Sequence, residues 1–216
     1  MTGFPWQETV RRLEEVACVW PLRADARGHF TDAADAPHVR FVPPAVLPRP
    51  LPGTTPEAWI ATLPGHLGVE VVVLLRAGAA ALGLWCDDEL ADARVHRRYV
   101  VRGSGHAQPT HLRTKGKSRY GSRLRLQNWR RLLDEVATGL RDWEAAYGAF
   151  DRLHRSSTPR VWADLVRVEP PAPIPEDPAR IVRVPLHVHQ PSREELLRVR
   201  EALRTGRIER TDSPSA

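Results

Sequence analysis

Gly105-His106-Ala107-Gln108 lies inside the most strongly charged stretch of the chain. From Arg94 to Arg131 there are twelve Arg and Lys side chains and no Asp or Glu. The 216-residue chain has a formal net charge of +6, so the remaining residues together carry −6 and the positive excess is local. A focused basic segment is what a polyanion binds, because each neutralised phosphate releases condensed counterions. A neutral Gln beside small residues at its centre suggests chemistry as well as contact. Arg113, Lys115, Lys117 and Arg119 read as phosphate contacts that carry no sequence readout.

The elements that would hold this segment can be read on either side of it. Val69 to Leu75 is a β-branched, apolar run of strand length, and Ala77-Gly78 turns it into a second strand over Ala80–Trp85. Asp87 to Ala93 reads as an acidic break. Arg94 to Val101 alternates, with Val95, Tyr99 and Val101 on one face and Arg94, Arg98 and Arg102 on a wet, cationic one. Gly103 to Gly121 has almost no apolar residues and is long enough for a functional loop. Helical spacing resumes over Ser122–Tyr147 through Leu124, Leu132, Leu133, Val136, Leu140 and Trp143, and Arg123, Arg125, Arg130 and Arg131 extend the basic surface.

Further out, Thr9–Val19 is helically spaced, and the seven prolines of Pro37–Pro56 predict an extended connector. Thr55 caps a short helix to Leu63 with Pro56 in its first turn. Val161-Trp162-Ala163 reads as a strand, followed by a Pro-rich turn over Pro170–Pro178 and a strand over Arg180–Val188. Ser192 opens a helix reaching about Thr205, and the chain is expected to fray after Arg207. Strands followed by helices at this spacing predict an α/β or α+β fold with a mixed β-sheet flanked by helices. Three parts result: an N-terminal helix and Pro-rich connector (1–68), a catalytic domain (69–205) and a tail (206–216).

His96-Arg97-Arg98-Tyr99-Val100-Val101-Arg102, leading into Gly105-His106-Ala107-Gln108, resembles the Vms-type release-factor family, relatives of the catalytic domain of eukaryotic and archaeal class I release factors. The resemblance continues in Gly121-Ser122-Arg123-Leu124-Arg125 and in Val184-Pro185-Leu186-His187-Val188-His189-Gln190-Pro191-Ser192 before Glu195-Leu196. It spans roughly Val69 to Leu203. It implies a ribonuclease-H-like release-factor domain and peptidyl-tRNA (ester) hydrolase activity on stalled ribosomes. Gln108 matches the family's catalytic Gln and Gly105 the glycine before it. Arg98, Arg102, His106, Arg113, Lys115, Lys117, Arg119, Arg123 and Arg125 would then meet large-subunit rRNA and peptidyl-tRNA. His106-Ala107 departs from the Gly-Gly-Gln of release factors proper, and Ala107 does not reach positive φ as cheaply as glycine. The hydrolysis needs a positioned water and a stabilised oxyanion, and a neutral amide can orient the water without being a strong base.

Other constellations are weaker. Cys18 and Cys86 are too few for a disulfide framework. His187 and His189 would share a strand face but have no third metal ligand in view, so neither metal nor cofactor is expected. Asp87, Asp88, Glu89 and Asp92 resemble nuclease carboxylates but also an ordinary solvated turn. Among the tryptophans only Trp129, next to Arg130 and Arg131, is placed to stack on a base. The amphipathic N-terminus is no signal peptide, and no apolar run approaches the roughly 20 residues that span a bilayer. A cytoplasmic monomer is expected. Two alternatives stay open: a non-catalytic ribosome- or RNA-binding factor, and a tRNA-directed nuclease.

Overall fold

The computed structural model describes residues 2–32, 37–99 and 117–210, with the side chains of 117–122 outside the description. Ten strands form two five-stranded sheets, and there are five α-helices among the described residues.

The central sheet begins with β5 (Val69–Arg76), which turns at Gly78 (φ 92°) into β6 (Ala79–Cys86). Asp87 and Asp88 both take positive φ, 47° and 80°, and form a two-residue hairpin connection into β7 (Glu89–Arg97). Asp tolerates that backbone region through local hydrogen bonding. The expected acidic break is therefore only these two residues, and Glu89 to Ala93 belong to the strand. β8 (Arg152–Ser156) and β9 (Ile181–Arg183) run parallel to β5, giving the order β7-β6-β5-β8-β9. Counted within the sheet this is 3-2-1-4-5, the ribonuclease-H-like arrangement.

Both faces of this sheet are covered, which is why β5 reads as a continuous apolar run. Val71, Val73 and Leu75, with Leu82 and Leu84, pack on α3 (Lys117–Tyr147) through Leu132, Val136, Leu140 and Trp143. Val72, Leu74, Ala81 and Trp85 pack on α5 (Arg193–Arg204) through Leu196, Val199 and Leu203. Trp85 lies over Gly83, where any Cβ would run into the indole, so glycine is needed for the close approach.

Beyond α5 lies a second, antiparallel sheet in the order β1-β10-β4-β3-β2, built from β1 (Thr2–Pro5), β2 (Leu22–Ala24), β3 (Phe30–Asp32), β4 (Val39–Val42) and β10 (Thr205–Arg210). Its Phe4, Phe30 and Phe41 share one core with α5, with Leu13 and Val16 of α1 (Thr9–Ala17) and with Trp59 of α2 (Pro56–Ile60). Thr55 caps α2 by accepting from the Ala58 N–H, and Ser192 caps α5 by accepting from the Glu195 N–H.

Several sequence expectations are corrected. The Pro-rich segment contains β4 and is not only a connector. Val161-Trp162-Ala163 lie in α4 (Pro159–Val166), because Thr158 caps that helix and Pro159 occupies its first turn. The strand expected over Arg180–Val188 stops at Arg183, two residues before Pro185, which has no N–H to pair. Residues 117–121 of the expected loop are already helical. The chain does not fray at Arg207, since β10 pairs with β1 as far as Ile208 and with β4 as far as Arg210.

Candidate active site

Gln108, Gly105, His106, Arg102, Arg113 and Lys115 lie outside the described residues, between β7 and α3. What can be built from the bottom up is the pair of elements from which that segment departs and to which it returns. β7 and α3 are tied along their length. The Arg94 guanidinium donates to Asp142 at 2.7 Å and Asp92 at 3.2 Å, and sits 5.2 Å over the Trp143 ring. About two turns towards the helix N-terminus, Arg98 pairs with Glu135, which also lies 3.6 Å from His96. Nearest the exit, the Asn128 amide donates to the Tyr99 carbonyl at 2.8 Å. The Arg98 N–H donates to the Gly78 carbonyl at 2.8 Å, fixing the end of β7 to the β5–β6 turn. The face carrying Arg94 and Arg98 is thus paired with acids of α3 and not a free cationic face, although Arg98 stays exposed. The strand pleat sets Arg94 and Arg98 on the side of α3, where Asp142 and Glu135 pair with them.

On the return side, α3 begins eleven residues before its anchor at Asn128, about 16 Å of helix at 1.5 Å per residue. None of the described side chains from Arg123 to Arg131 is buried, and the first buried one is Leu132. Arg123 is exposed and Arg125 half-buried. Lys117 and Arg119 fall in the first turn of α3, with their side chains outside the description. Trp129 does not stand free for base stacking: it packs against the core and donates to Asp164 at 3.1 Å. Gln127 is exposed within the helix.

The two stretches that carry the family resemblance on either side of α3 and α4 come together in space. Arg98 and Tyr99 meet His189, Gln190 and Pro191, together with Arg76, Gly78 and their neighbours in the β5–β6 turn, around an open cleft of about 370 Å³. It lies at the C-terminal end of β5, between the β5–β6 turn, the end of β7 and the segment before α5. No spacing in the sequence shows this meeting. His187 and His189 are not on a strand; their rings meet edge to face, 4.7 Å between centroids. Among the described residues no group of three or more His, Cys, Asp or Glu is placed to hold a metal.

The acidic cluster is engaged in structure. Asp88 accepts from Trp6 Nε1 at 3.0 Å and from Arg200 at 2.9 Å, with Arg204 at 3.4 Å. Asp92 accepts from the Trp143 indole N–H at 2.8 Å. That bond, with the Ala93 N–H and Arg94, holds the Asp92 carboxyl below the usual carboxylate range against the opposing effect of burial.

Sequence reasoning missed a buried polar set on the other face of the sheet. Glu70 and His154 are fully buried and Arg200 is 4% exposed. Glu70 Oε1 lies 3.0 Å from His154 Nε2, and Glu70 Oε2 lies 2.7 Å from Arg200 Nη1, an ion pair that is out of line for a hydrogen bond. Arg200 also stacks 5.2 Å over Trp85 and continues to Asp88. Burial depresses the pKa of His154, with the Glu70 hydrogen bond opposing. The available signal was a lone Glu at position 70 within an apolar strand, where a charge is tolerated only if paired.

The fold is a mixed sheet in ribonuclease-H order that carries a basic segment between its third strand and a long helix. The model of the family described as Bacteroidetes VLRF1 release factor matches residues 70–211, well over half of the chain, and the chain belongs to that release-factor family. Among solved structures, one titled "Vms1 mitochondrial localization core" is similar with a TM-score of 0.54 and 10% identity, covering 95% of this chain and 82% of that one. At that identity the likeness is one of fold. No curated protein matches the sequence.

Proposed function

We propose that this protein is a peptidyl-tRNA hydrolase of the release-factor type, acting in the peptidyl transferase centre of stalled ribosomes. A release-factor-like role follows from the family; the specific chemistry is our reading. The observation that carries it is the family match across 70–211, which spans β7, the Gln108 segment and α3. The ties between β7 and α3 support it physically, because a catalytic segment needs fixed roots to place one side chain in a crowded RNA cavity.

In this reading Gln108 holds a water by its side-chain or backbone amide, and the water attacks the ester carbonyl. The peptide leaves as a carboxylic acid and the tRNA keeps its 3′-terminal hydroxyl. Ribosomal RNA supplies much of the surrounding electrostatics, and Gly105 and Ala107 keep the approach narrow. Arg113, Lys115, Lys117, Arg119 and Arg123 contact phosphates of rRNA and the acceptor stem. Residues 69–205 hold the chemistry, and the protein works as a monomer in the cytoplasm. Among the described residues no helix is long and apolar enough to cross a membrane.

The test is incubation of wild type and Gln108→Ala with ribosomal complexes carrying labelled peptidyl-tRNA, resolving peptide and tRNA by gel. Released peptide with full-length tRNA, abolished in the variant while ribosome co-sedimentation persists, is the expected result. A shortened tRNA would identify a nuclease instead. Binding without release would leave a ribosome-binding factor. Charge reversal at Arg113, Lys115 and Lys117 should weaken co-sedimentation and flatten its salt dependence.

A further inference from the structure

We propose that the cleft lined by Arg76, Gly78, Arg98, Tyr99, His189 and Gln190 is a subsite for one unstacked nucleotide of single-stranded RNA. The proposal rests on the ribosomal reading above and adds to it a second point of RNA contact, at the root of the Gln108 segment.

The size fits. At about 370 Å³ the open cleft is near the lower end of small-ligand sites, a size that fits a single nucleotide, and stacking on its ring needs an unstacked base that a duplex does not offer. The chemistry fits too. Its lining holds two guanidinium groups and no carboxylate. Arg98 is already paired with Glu135, which leaves Arg76, an exposed side chain at the end of β5, as the principal phosphate ligand. Tyr99 is 60% exposed, an aromatic ring left in solvent where β7 ends. An open ring beside arginine is a stacking platform for any base. The Gln190 amide and the His189 imidazole, both exposed, offer donors and acceptors for a base edge.

The platform is held in place while its face stays open. The Tyr99 carbonyl is bonded by Asn128, and the Arg98 N–H is bonded to the Gly78 carbonyl. On the opposite wall, the His189 N–H donates to Glu195 Oε1 in the first turn of α5 at 3.2 Å. All three walls therefore hang on elements of the central sheet and its helices, and binding a nucleotide there would cost little reorganisation.

The test uses the full chain and a fluorescently labelled adenosine tetranucleotide as the single-stranded probe, titrated by anisotropy at several salt concentrations. Saturable binding is expected for wild type. Tyr99→Ala should weaken it about fivefold or more, Tyr99→Phe should keep it, and Arg76→Ala should lower the salt slope by about one. Both positions are exposed, and matching urea midpoints would establish that the variants fold. Absence of saturable binding by wild type overturns the proposal. So does wild-type affinity in both Tyr99→Ala and Arg76→Ala, or equal competition by an RNA duplex of the same concentration. The peptide-release assay separates the two readings. Cleft-dependent RNA binding alongside release that survives Gln108→Ala would sink the catalytic reading and keep the subsite. Gln108-dependent release with no effect of the cleft variants on RNA binding would sink the subsite alone.

Discussion

At the residue scale the most consequential side chain outside the candidate active site is Arg200. It meets Glu70 and Asp88 and lies over Trp85, all in a region closed to water. Removing one partner of a buried ion pair leaves the other charge uncompensated, which costs about 3–5 kcal/mol. Against a typical total of about 5–15 kcal/mol this is a large share of the stability. Arg200→Met should therefore lower the urea midpoint sharply, with Arg200→Lys in between because it keeps the charge and loses the planar fork. A midpoint within error of wild type for Arg200→Met would mean the ion pair contributes nothing net.

His154 adds a pH dependence to the same set. Its folded pKa is depressed, chiefly by burial, in the company of Glu70, Arg200 and Arg152. The unfolded chain consequently takes up the proton first as the pH falls below about 6.5. Stability should decline from there down to the folded pKa and then level off with respect to this group. His154→Gln, which keeps a hydrogen-bonding group toward Glu70, should flatten the slope of urea midpoint against pH between about 7 and 5. An unchanged slope would assign the pH dependence to other groups.

At the scale of elements, the proposed function makes the fork between β7 and α3 the part that would aim Gln108. Asn128 is the last tie before the chain leaves the described structure, and its amide holds the Tyr99 carbonyl. Asn128→Ala removes one partly exposed hydrogen bond, worth about 0.5–1.5 kcal/mol, so the fold should survive. Release activity should fall by more than that energy implies, because misplacement of about 1 Å at a reacting centre can cost on the order of a hundredfold. Comparing single-turnover release with the urea midpoint for this variant checks the point; a loss of activity no larger than the loss of stability would contradict it. The sequence showed both prongs of this fork but not their coupling. Alternation along β7 correctly set Arg94 and Arg98 on one face, and their pairing was missed because the acids that meet them, Glu135 and Asp142, lie 37 and 48 residues away. The same limit misled at Val161-Trp162-Ala163, whose β-branched and aromatic residues suggest a strand until Thr158 and Pro159 are weighed as a helix start.

At the scale of the whole molecule, the end of the described chain closes the second sheet. β10 is the strand that joins β1 to β4, and Gly206 lies so near the Phe4 ring that no Cβ fits there. Truncation after Arg204 should therefore expose the edges of β1 and β4, uncover Phe4 and Phe41, and yield aggregated or unfolded protein. Truncation after Arg210 should leave the thermal transition unchanged. Circular dichroism melts of the two truncations decide the matter; a cooperative, wild-type melt for the shorter one would show that the second sheet stands without β10.

The sequence by itself determined the mixed α+β class, the β5–β6 hairpin, the long helix α3, the caps at Thr55 and Ser192, and the local concentration of positive charge. Each of these rests on residues within a turn or a strand of one another, where periodicity, capping and turn chemistry act. It also carried the family through short motifs, and the match over 70–211 agrees. The second sheet, the buried Glu70–His154–Arg200 set and the cleft joining Tyr99 to His189 were decided only by the tertiary structure. Glu70 and His154 lie 84 positions apart, β1 and β10 pair across 200 to 206, and the cleft brings together three separate segments. Nothing local specifies such meetings: they arise when two covered faces of one sheet and a shared aromatic core bring distant segments together.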